Sequence, residues 1–167
     1  MGVGPPTRYG RRVRISHKVA HAVRVTTPLA RLTAAEPGKV VAGHVLAETD
    51  DLPPGFLHDI LRALRAGGLL RSQRGPEGGW NLGRPAEEIT VADILRTLEG
   101  PLASVRGIRP HELPEHGVER PFVELWVAVR MALRDVLEHV TVADLASGRL
   151  PPEVTARLAE PGAWTAP

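Results

Sequence analysis

The chain has 167 residues, of which 43% are hydrophobic, so it is long enough to form one domain with a buried core. Aromatic residues make up only 4%, so we expect the core to consist mostly of Leu, Val and Ala. The absence of cysteine excludes disulfides, thiol redox chemistry, a cysteine nucleophile and any iron–sulfur cluster held by thiolates. No stretch approaches the roughly 18 uninterrupted apolar residues of a membrane span, and no apolar segment follows the charged N-terminus as in a signal peptide. We therefore expect a cytoplasmic protein without a membrane partner.

Charge is unevenly distributed along the chain, although the net charge is only +2. Residues 1–40 hold eight Lys and Arg side chains against one acidic residue, whereas the remainder holds 13 basic and 18 acidic residues. This asymmetry favours an anionic partner for the N-terminal half. The alternative is a solvated basic tail without a partner.

The N-terminal part of the chain is predicted to be helical after a disordered start. Residues 1–13, rich in Gly, Pro and Arg, are expected to form a flexible basic arm. Apolar residues then recur at helical spacing from Ile15, with Ser16 as a candidate N-cap. Pro28 interrupts this pattern, so we expect a kink or an end there. Residues 29–35 and 42–49 are predicted to form two further short helical pieces.

The segment from Pro54 to Ala66 has the clearest amphipathic pattern in this half of the chain. Pro54 suits the first turn of a helix, and Gly67-Gly68 suits its end. Its apolar and polar residues separate onto two faces. The apolar face contains Phe56, Leu57, Ile60, Leu61 and Leu64, and the polar face contains His58, Asp59, Arg62 and Arg65.

The second half begins with a predicted β-hairpin, in which "LLRSQR" and "GWNLGR" flank Gly-Pro-Glu-Gly. A helix is expected to begin at Thr90, and residues 100–120 are expected to form an irregular loop. The longest periodic apolar segment of the chain follows, from Phe122 to Val140. "TVADLASG" predicts one more short helix, and residues 148–167 are predicted to be a loose tail.

A helix-turn-helix followed by a two-stranded hairpin is a winged helix, a common DNA-reading module. We therefore predict a mainly α fold with a small β-hairpin, in which residues 14–99 form a winged helix-turn-helix domain. Arg71 and Arg74 of the hairpin are placed to meet phosphates or a narrow minor groove. Glycines such as Gly75 would let the main chain approach the DNA backbone. The alternative is a charged hairpin tip without a partner.

Three stretches, "RISHKVAHAV", "GFLHDILRALRAGGLLRSQRGPEGGWNLGRPAEEITVADILRTLEGPL" and "VTVADL", resemble the Rrf-two family of bacterial winged-helix transcription regulators. Its members include the iron–sulfur cluster regulator, the nitric-oxide-sensing repressor and the cysteine-metabolism repressor, and the resemblance covers about residues 14–147. It implies a homodimer on a near-palindromic operator, with a long C-terminal dimerisation helix near residues 121–139. The dimerisation helix and the short C-terminal helix together form a predicted unit of residues 121–147. The predicted dimer contacts are Phe122, Leu125, Trp126, Val129, Leu133, Val136 and Leu137. The alternative is that this helix packs only within its own chain.

The resemblance also implies DNA contacts from the start of the recognition helix, at Gly55, Phe56 and His58, and from the wing, at Arg74 and Gly75. The other predicted contacts with double-stranded DNA are Arg14, Ser16, His17, Lys18, Lys39, Arg62 and Arg71. The family usually has small polar residues, a tyrosine and a glutamate where this chain has "PPGFLH". His58 could donate to guanine or contact a phosphate, so we expect a different operator sequence.

The loop at residues 100–120 departs most from the family pattern. Relatives that bind a cluster carry three cysteines there, whereas this chain has "SVRGIRPHELPEHGVERP". His111, Glu112, Glu115 and His116 are capable metal ligands, and His17 and His21 form an i,i+4 pair. A flexible polar loop is the preferred interpretation, so we predict no cofactor and no metal. Because cluster-free members sense small molecules or partner proteins, the expected effector site is a pocket between the winged domain and the dimer helix.

The leading hypothesis is therefore a homodimeric, sequence-specific transcription regulator that acts as a repressor and responds to an unknown effector. The second hypothesis is a winged-helix protein-interaction module that has lost DNA binding, which the apolar "PPGF" at the reading position favours. An enzyme is rejected, because no Ser/His/Asp arrangement, phosphate-binding loop or catalytic carboxylate pair occurs in a suitable context.

Overall fold

The computed structural model describes residues 15–36, 38–48, 52–104, 108–109, 112 and 120–165. The predictions for the arm at residues 1–13 and for Arg14, His111, Glu115 and His116 lie outside these residues. The described elements are α1 (His17–Ala35), α2 (Gly43–Glu48), α3 (Pro54–Ala66), β1 (Leu70–Gln73), β2 (Gly79–Leu82), a 3-10 turn (Ala86–Glu88), α4 (Val91–Glu99), α5 (Arg120–Leu137), α6 (Val142–Ser147) and α7 (Pro152–Leu158). None of the described helices combines the length and apolarity needed to cross a bilayer. The predicted mainly α fold with one small hairpin is confirmed.

Helix α1 continues through Pro28, so the end predicted there is wrong. Proline removes a backbone donor and costs roughly 3 kcal/mol inside a helix. Val25 and Leu29, on either side of it, are only 0% and 1% exposed, and burying such side chains contributes about 1.5–3 kcal/mol each. The Thr26 hydroxyl also donates to the Ala22 carbonyl at 3.0 Å. Burial along α1 therefore outweighs the proline.

The wing consists of strands β1 and β2, which pair antiparallel with Leu70 opposite Leu82. The connection between α1 and α2 adds to it, since Val41 and Trp80 exchange both backbone hydrogen bonds at 2.8 Å. Only glycine fits at residue 79, because a Cβ there would lie 2.5 Å from the Val41 carbonyl oxygen. The first half of β2 is thus anchored to the segment that precedes α2.

The core lies where α1, α3, the wing and α4 meet, and α6 belongs to the same core. Helix α6 packs against α1 and the 3-10 turn, and its Val142 is fully buried. Helix α3 contributes the four residues of its apolar face that are most buried. These are Leu57, Ile60, Leu61 and Leu64. The two helices of the predicted 121–147 unit therefore differ, because α6 is part of the winged domain whereas α5 makes few contacts with it.

The prediction of a loose tail at residues 148–167 is wrong for residues 152–158, which form α7. Pro152 lies at its first turn, where a missing N–H costs nothing. Val154 is buried, and the Thr155 hydroxyl donates to the Pro151 carbonyl at 3.1 Å. One buried valine in a seven-residue helix is too weak a periodic signal to be recognised in the sequence.

Candidate nucleic-acid interface

Helix α3 turns its polar face to solvent, as its amphipathic pattern predicts. Gly55, His58 and Arg62 are exposed, and a Cβ built on Gly55 would meet no atom within 4 Å. The opposite face of the helix is buried in the core. Helix α3 is thus held rigidly by one face while the other remains open, which is the arrangement that a major-groove reader needs.

The start of α1 lies beside the start of α3 through three aromatic rings. The half-buried Phe56 packs edge-on against His21, with ring centroids 5.8 Å apart. His21 in turn stacks on the exposed His17 at 6.3 Å. Phe56, predicted from its position as a base contact, therefore also holds α1 against α3, a role that sequence position did not reveal.

Cationic side chains from both helices face a common cleft. Lys18 of α1 lines it together with Asp59, Arg62 and Arg65 of α3, so three cations accompany one carboxylate. Ser16 caps α1, its hydroxyl accepting from the Val19 N–H at 3.3 Å. The surface formed by Ser16, His17 and Lys18 of α1 and by Gly55, His58 and Arg62 of α3 is termed the reading surface.

A side-chain hydrogen bond joins α3 to the wing. The Arg65 guanidinium donates from Nη1 to Oγ of Ser72 in β1 at 3.0 Å. Neither residue was predicted as part of the site, because two polar residues seven positions apart in different elements form no local pattern. The bond adds to the packing of β1 against α3.

The tip of the wing exposes two arginines next to a turn that requires glycine. Arg71 and Arg74 are exposed, Gly75 has φ +118°, and a Cβ on Gly78 would lie 2.5 Å from the Gln73 carbonyl oxygen. Within the described part of the chain, neither arginine forms an ion pair. Their charges are therefore available to an external anion.

Lys39 is the predicted contact with the weakest structural link to this site. It lies in the connection between α1 and α2, and its ammonium contacts Oε1 of Glu36 at 2.7 Å rather than a residue of α3. Exposed pairs of this kind contribute about 1 kcal/mol or less, so Lys39 can exchange Glu36 for a phosphate.

An apolar cavity of about 430 Å³ lies between α2, α3 and β2, with His58 in its lining. Trp80 of the wing forms one wall, a role that was not predicted for it. The cavity is lined by Gly43, His44, Ala47, Glu48, Pro54, Leu57, His58, Leu61 and Trp80. His58 therefore lies between this cavity and the exposed face of α3.

Helix α5 has an apolar side that its own chain does not cover. None of its described residues is buried, and Phe122 and Leu125 are 41% and 57% exposed. Trp126 packs edge-on against Phe122 at 6.2 Å, and its indole Nε1 is buried without a hydrogen-bond partner among the described residues. The remaining predicted dimer contacts, Val129, Leu133, Val136 and Leu137, are partly buried. The apolar side of α5 is therefore only partly covered by the described residues of its own chain.

The described residues contain no group of three or more candidate metal ligands. Glu112, one of the weak candidates, lies 3.2 Å from the Arg109 guanidinium. His17 and His21 form a pair without a third ligand among these residues.

The chain matches the Rrf2 family model, described as an iron-dependent transcriptional regulator, over residues 15–148. A protein of Mycobacterium tuberculosis (strain H37Rv), named as a candidate HTH-type transcriptional regulator, is 48% identical over 148 residues, which cover 89% of each chain. CymR, an HTH-type transcriptional regulator of Bacillus subtilis (strain 168), is 33% identical over 135 residues, covering 81% of this chain and 91% of its own.

Solved structures agree with these relatives. The structure of B. subtilis CymR, a global cysteine regulator, matches with a TM-score of 0.67 at 33% identity, covering 82% of this chain and 98% of that chain. IscR of T. potens matches with a TM-score of 0.64 at 28% identity, covering 81% and 88%. The winged-helix prediction and the family resemblance are thereby confirmed, and regulation of transcription is favoured over an interaction module without DNA binding. The chain belongs to the Rrf2 family of winged-helix, DNA-binding transcription regulators.

Proposed function

We propose that this regulator binds a near-palindromic operator as a homodimer, through the reading surface and the wing, and that it represses transcription. One observation carries the proposal. The outer face of α3, His17 at the start of α1 and the wing arginines are all exposed, while the apolar face of α3 is buried in the core. A rigid helix flanked by mobile cations is what insertion into a groove between two phosphate backbones requires.

The residues of this surface divide into two roles. His58 and the backbone at Gly55, on the outer face of α3, are assigned to base edges in the major groove, where an imidazole N–H can donate to guanine. Lys18, Arg62 and Arg74 are assigned to phosphates, because their long cationic side chains flank the helix. Phosphate contacts fix the register of the protein on DNA, whereas base contacts supply sequence specificity.

The apolar side of α5 supports the homodimer. Phe122 and Leu125 are 41% and 57% exposed, and apolar surface of this kind on one helix is stabilised by a second copy of the same helix. A two-fold axis along this seam directs the two α3 helices to successive major grooves, about 34–36 Å apart on one side of the duplex.

The family description implies iron, and the residues of this chain do not fit a thiolate-held cluster. Cysteine is absent, and Glu112 is the only loop candidate among the described residues, where it pairs with Arg109. Iron–sulfur clusters are held by Cys thiolates, and where histidines replace two of them the other two thiolates remain, so a chain without cysteine lacks the required ligands. We therefore propose regulation by a small molecule or a partner protein, without a resident cofactor.

Repression follows from occupancy of a promoter by the dimer. The proposed place of action is the bacterial cytoplasm, where chromosomal DNA lies, and we propose no catalytic activity. An effector acts by changing the angle between the two winged domains, since half-site spacing tolerates little rotation.

Selection of genomic DNA fragments by the purified dimer tests this proposal. We expect one enriched near-palindrome for the wild type, with enrichment weakened by Arg74→Ala and altered in sequence by His58→Ala. Arg149→Ala is the matched control, because Arg149 is exposed and lies outside the reading surface and wing. Absence of an enriched site for the wild type, both alone and with cell extract added, would overturn the proposal.

A further inference from the structure

We infer that a cavity between the end of α4 and helix α5 is an effector site for a small organic anion bearing a carboxylate or phosphate group. This inference rests on the proposed regulatory function and names the chemistry of its effector. The cavity has a volume of about 230 Å³, smaller than the roughly 300–1,000 Å³ of sites for drug-sized ligands. Its described lining consists of Arg96, Gly100, Pro101, Leu102, Arg109 and Arg130. This site is termed the arginine cavity.

Three arginines from three separate parts of the chain line the arginine cavity. Arg96 lies in the last turn of α4, Arg109 follows the segment after α4, and Arg130 lies in α5. No acidic residue is among the described residues that line it. Like charges around so small a volume repel one another, and an anion within it relieves that repulsion.

Carboxylates beside the cavity offset part of the charge on Arg96 and Arg109. Glu138 accepts hydrogen bonds from Arg96 and, at 3.0 Å, from Arg134. The hydrogen bond from Arg96 is the main cause that lowers the pKa of Glu138, while burial opposes it. Arg109 contacts Glu112 at 3.2 Å, but both side chains are about half exposed. Such an exposed pair is weak, so Arg109 can turn to a ligand at little cost.

The lining combines charge with apolar contact. Planar guanidinium groups bind carboxylate and phosphate oxygens in pairs of parallel hydrogen bonds. Leu102, 3% exposed, and Pro101 provide an apolar wall for the carbon skeleton of a ligand. The next residue, Ala103, has φ +52°, which is uncommon for a non-glycine residue and is typical of functional segments. The chain at residues 100–103 is therefore held in a conformation that local preference alone does not favour.

The position of the arginine cavity links a ligand to DNA binding. Helix α4 packs against α1 and α3, which carry the reading surface, whereas α5 carries the proposed dimer seam. An anion held by Arg96 and Arg130 at once would join α4 to α5. It would thereby set the angle between the winged domain and the dimer helix, the angle on which half-site spacing depends.

Isothermal titration calorimetry of the full chain without DNA tests the inference. The probes are succinate, citrate and glycerol 3-phosphate, with uncharged glycerol for comparison, all at constant ionic strength. We expect saturable binding of at least one anionic probe, with a Kd below about 1 mM. Arg109→Gln and Arg130→Gln should each weaken it by about tenfold or more, since charge-assisted hydrogen bonds are lost. Arg149→Gln, which removes one exposed charge elsewhere, should bind as the wild type does.

Three results would overturn the inference. The first is the absence of saturable binding by every anionic probe, and the second is an equal probe affinity in the wild type and Arg109→Gln. The third is a loss of probe affinity in Arg149→Gln as large as that in Arg109→Gln, which would indicate a non-specific effect of net charge. Arg109 is exposed, so its substitution leaves the core intact, and circular dichroism checks the fold of each variant. Operator affinity is measured separately without probe. Failure of operator binding in the wild type would therefore count against the proposed function and leave the calorimetric result unaffected.

Discussion

Thr90 and Thr141 face each other across an antiparallel bridge, and each residue caps the helix that follows it. Both helices, α4 and α6, begin with the same tetrapeptide, Thr-Val-Ala-Asp. The Val91 N–H donates to the Val140 carbonyl at 2.9 Å. The segment that leaves α5 is thereby joined by backbone hydrogen bonds to the start of α4, so the proposed dimer helix and the winged domain are connected at a defined point.

Thr141→Ala is expected to destabilise the protein by about 1 kcal/mol, the usual cost of losing an N-cap. The Thr141 hydroxyl accepts from the Asp144 N–H at 3.1 Å, and the Asp144 carboxylate accepts from the Thr141 N–H at 2.8 Å. Urea denaturation measures the change in the free energy of unfolding. Ser104→Ala, at an exposed residue that caps no described helix, is the matched control, and an equal loss in both variants would contradict the capping role.

Arg74→Ala is expected to lower operator affinity about equally for different sequences, because Arg74 is assigned to a phosphate. The slope of log affinity against log salt should decrease by about one, as for one lost phosphate contact. Fluorescence anisotropy across a salt series measures both quantities, with Arg149→Ala as the control. A slope identical to that of the wild type would remove Arg74 from the interface.

Leu125→Glu is expected to convert the proposed dimer into monomers, because it introduces a charge into the proposed apolar seam of α5. Leu125 is 57% exposed in the single chain, so the substitution should leave the fold intact. Val127→Glu is a control on the same helix, at a position that is 38% exposed and outside the predicted seam. Sedimentation velocity distinguishes the two, and dissociation by Val127→Glu but not by Leu125→Glu would place the seam on another face.

Glu138→Gln is expected to reveal a pH-dependent contribution to stability. Hydrogen bonds from Arg96 and then from Arg134 lower the pKa of Glu138 below its ordinary value of 4.5. The charged form is therefore favoured in the folded state, so its contribution is complete above pH 4.5 and is lost as pH falls through the lower folded pKa. With 27% of the side chain exposed, we expect a difference of about 1 kcal/mol near neutral pH.

Urea denaturation of the wild type and Glu138→Gln at several pH values measures this difference. It should stay constant around neutral pH and shrink in acid. A difference that remains unchanged well below pH 4.5 would show that the carboxylate charge contributes nothing.

Elements with a strong local pattern could be predicted from the sequence. Helix α3 has the predicted bounds, because an apolar stripe, a proline at the first turn and a glycine pair at the end all agree. The continuation of α1 through Pro28 could not be predicted, since it depends on tertiary burial of Val25 and Leu29. Helix α7 could not be predicted either, because its seven residues are too few to show a periodic apolar pattern.

Most contacts between elements could not be predicted from the sequence. The Arg65–Ser72 hydrogen bond, the Phe56–His21 ring contact and the arginine cavity each join residues from different elements. No spacing rule links such residues, so only the packed chain reveals them. The exposed polar residues of the reading surface were therefore predictable, whereas the contacts that join α3 to the wing and to α1 were not.

Hydroxyl-radical footprinting of the selected operator tests the central claim most directly. We expect two protected half-sites related by two-fold symmetry, with centres about one helical turn, 10–10.5 base pairs, or a multiple of it apart. Protection of the backbone beside each wing should disappear in Arg74→Ala while the remainder of the footprint is retained. A single unsymmetrical footprint, or one identical in the wild type, Arg74→Ala and His58→Ala, would contradict a dimer that reads DNA through α3 and the wing.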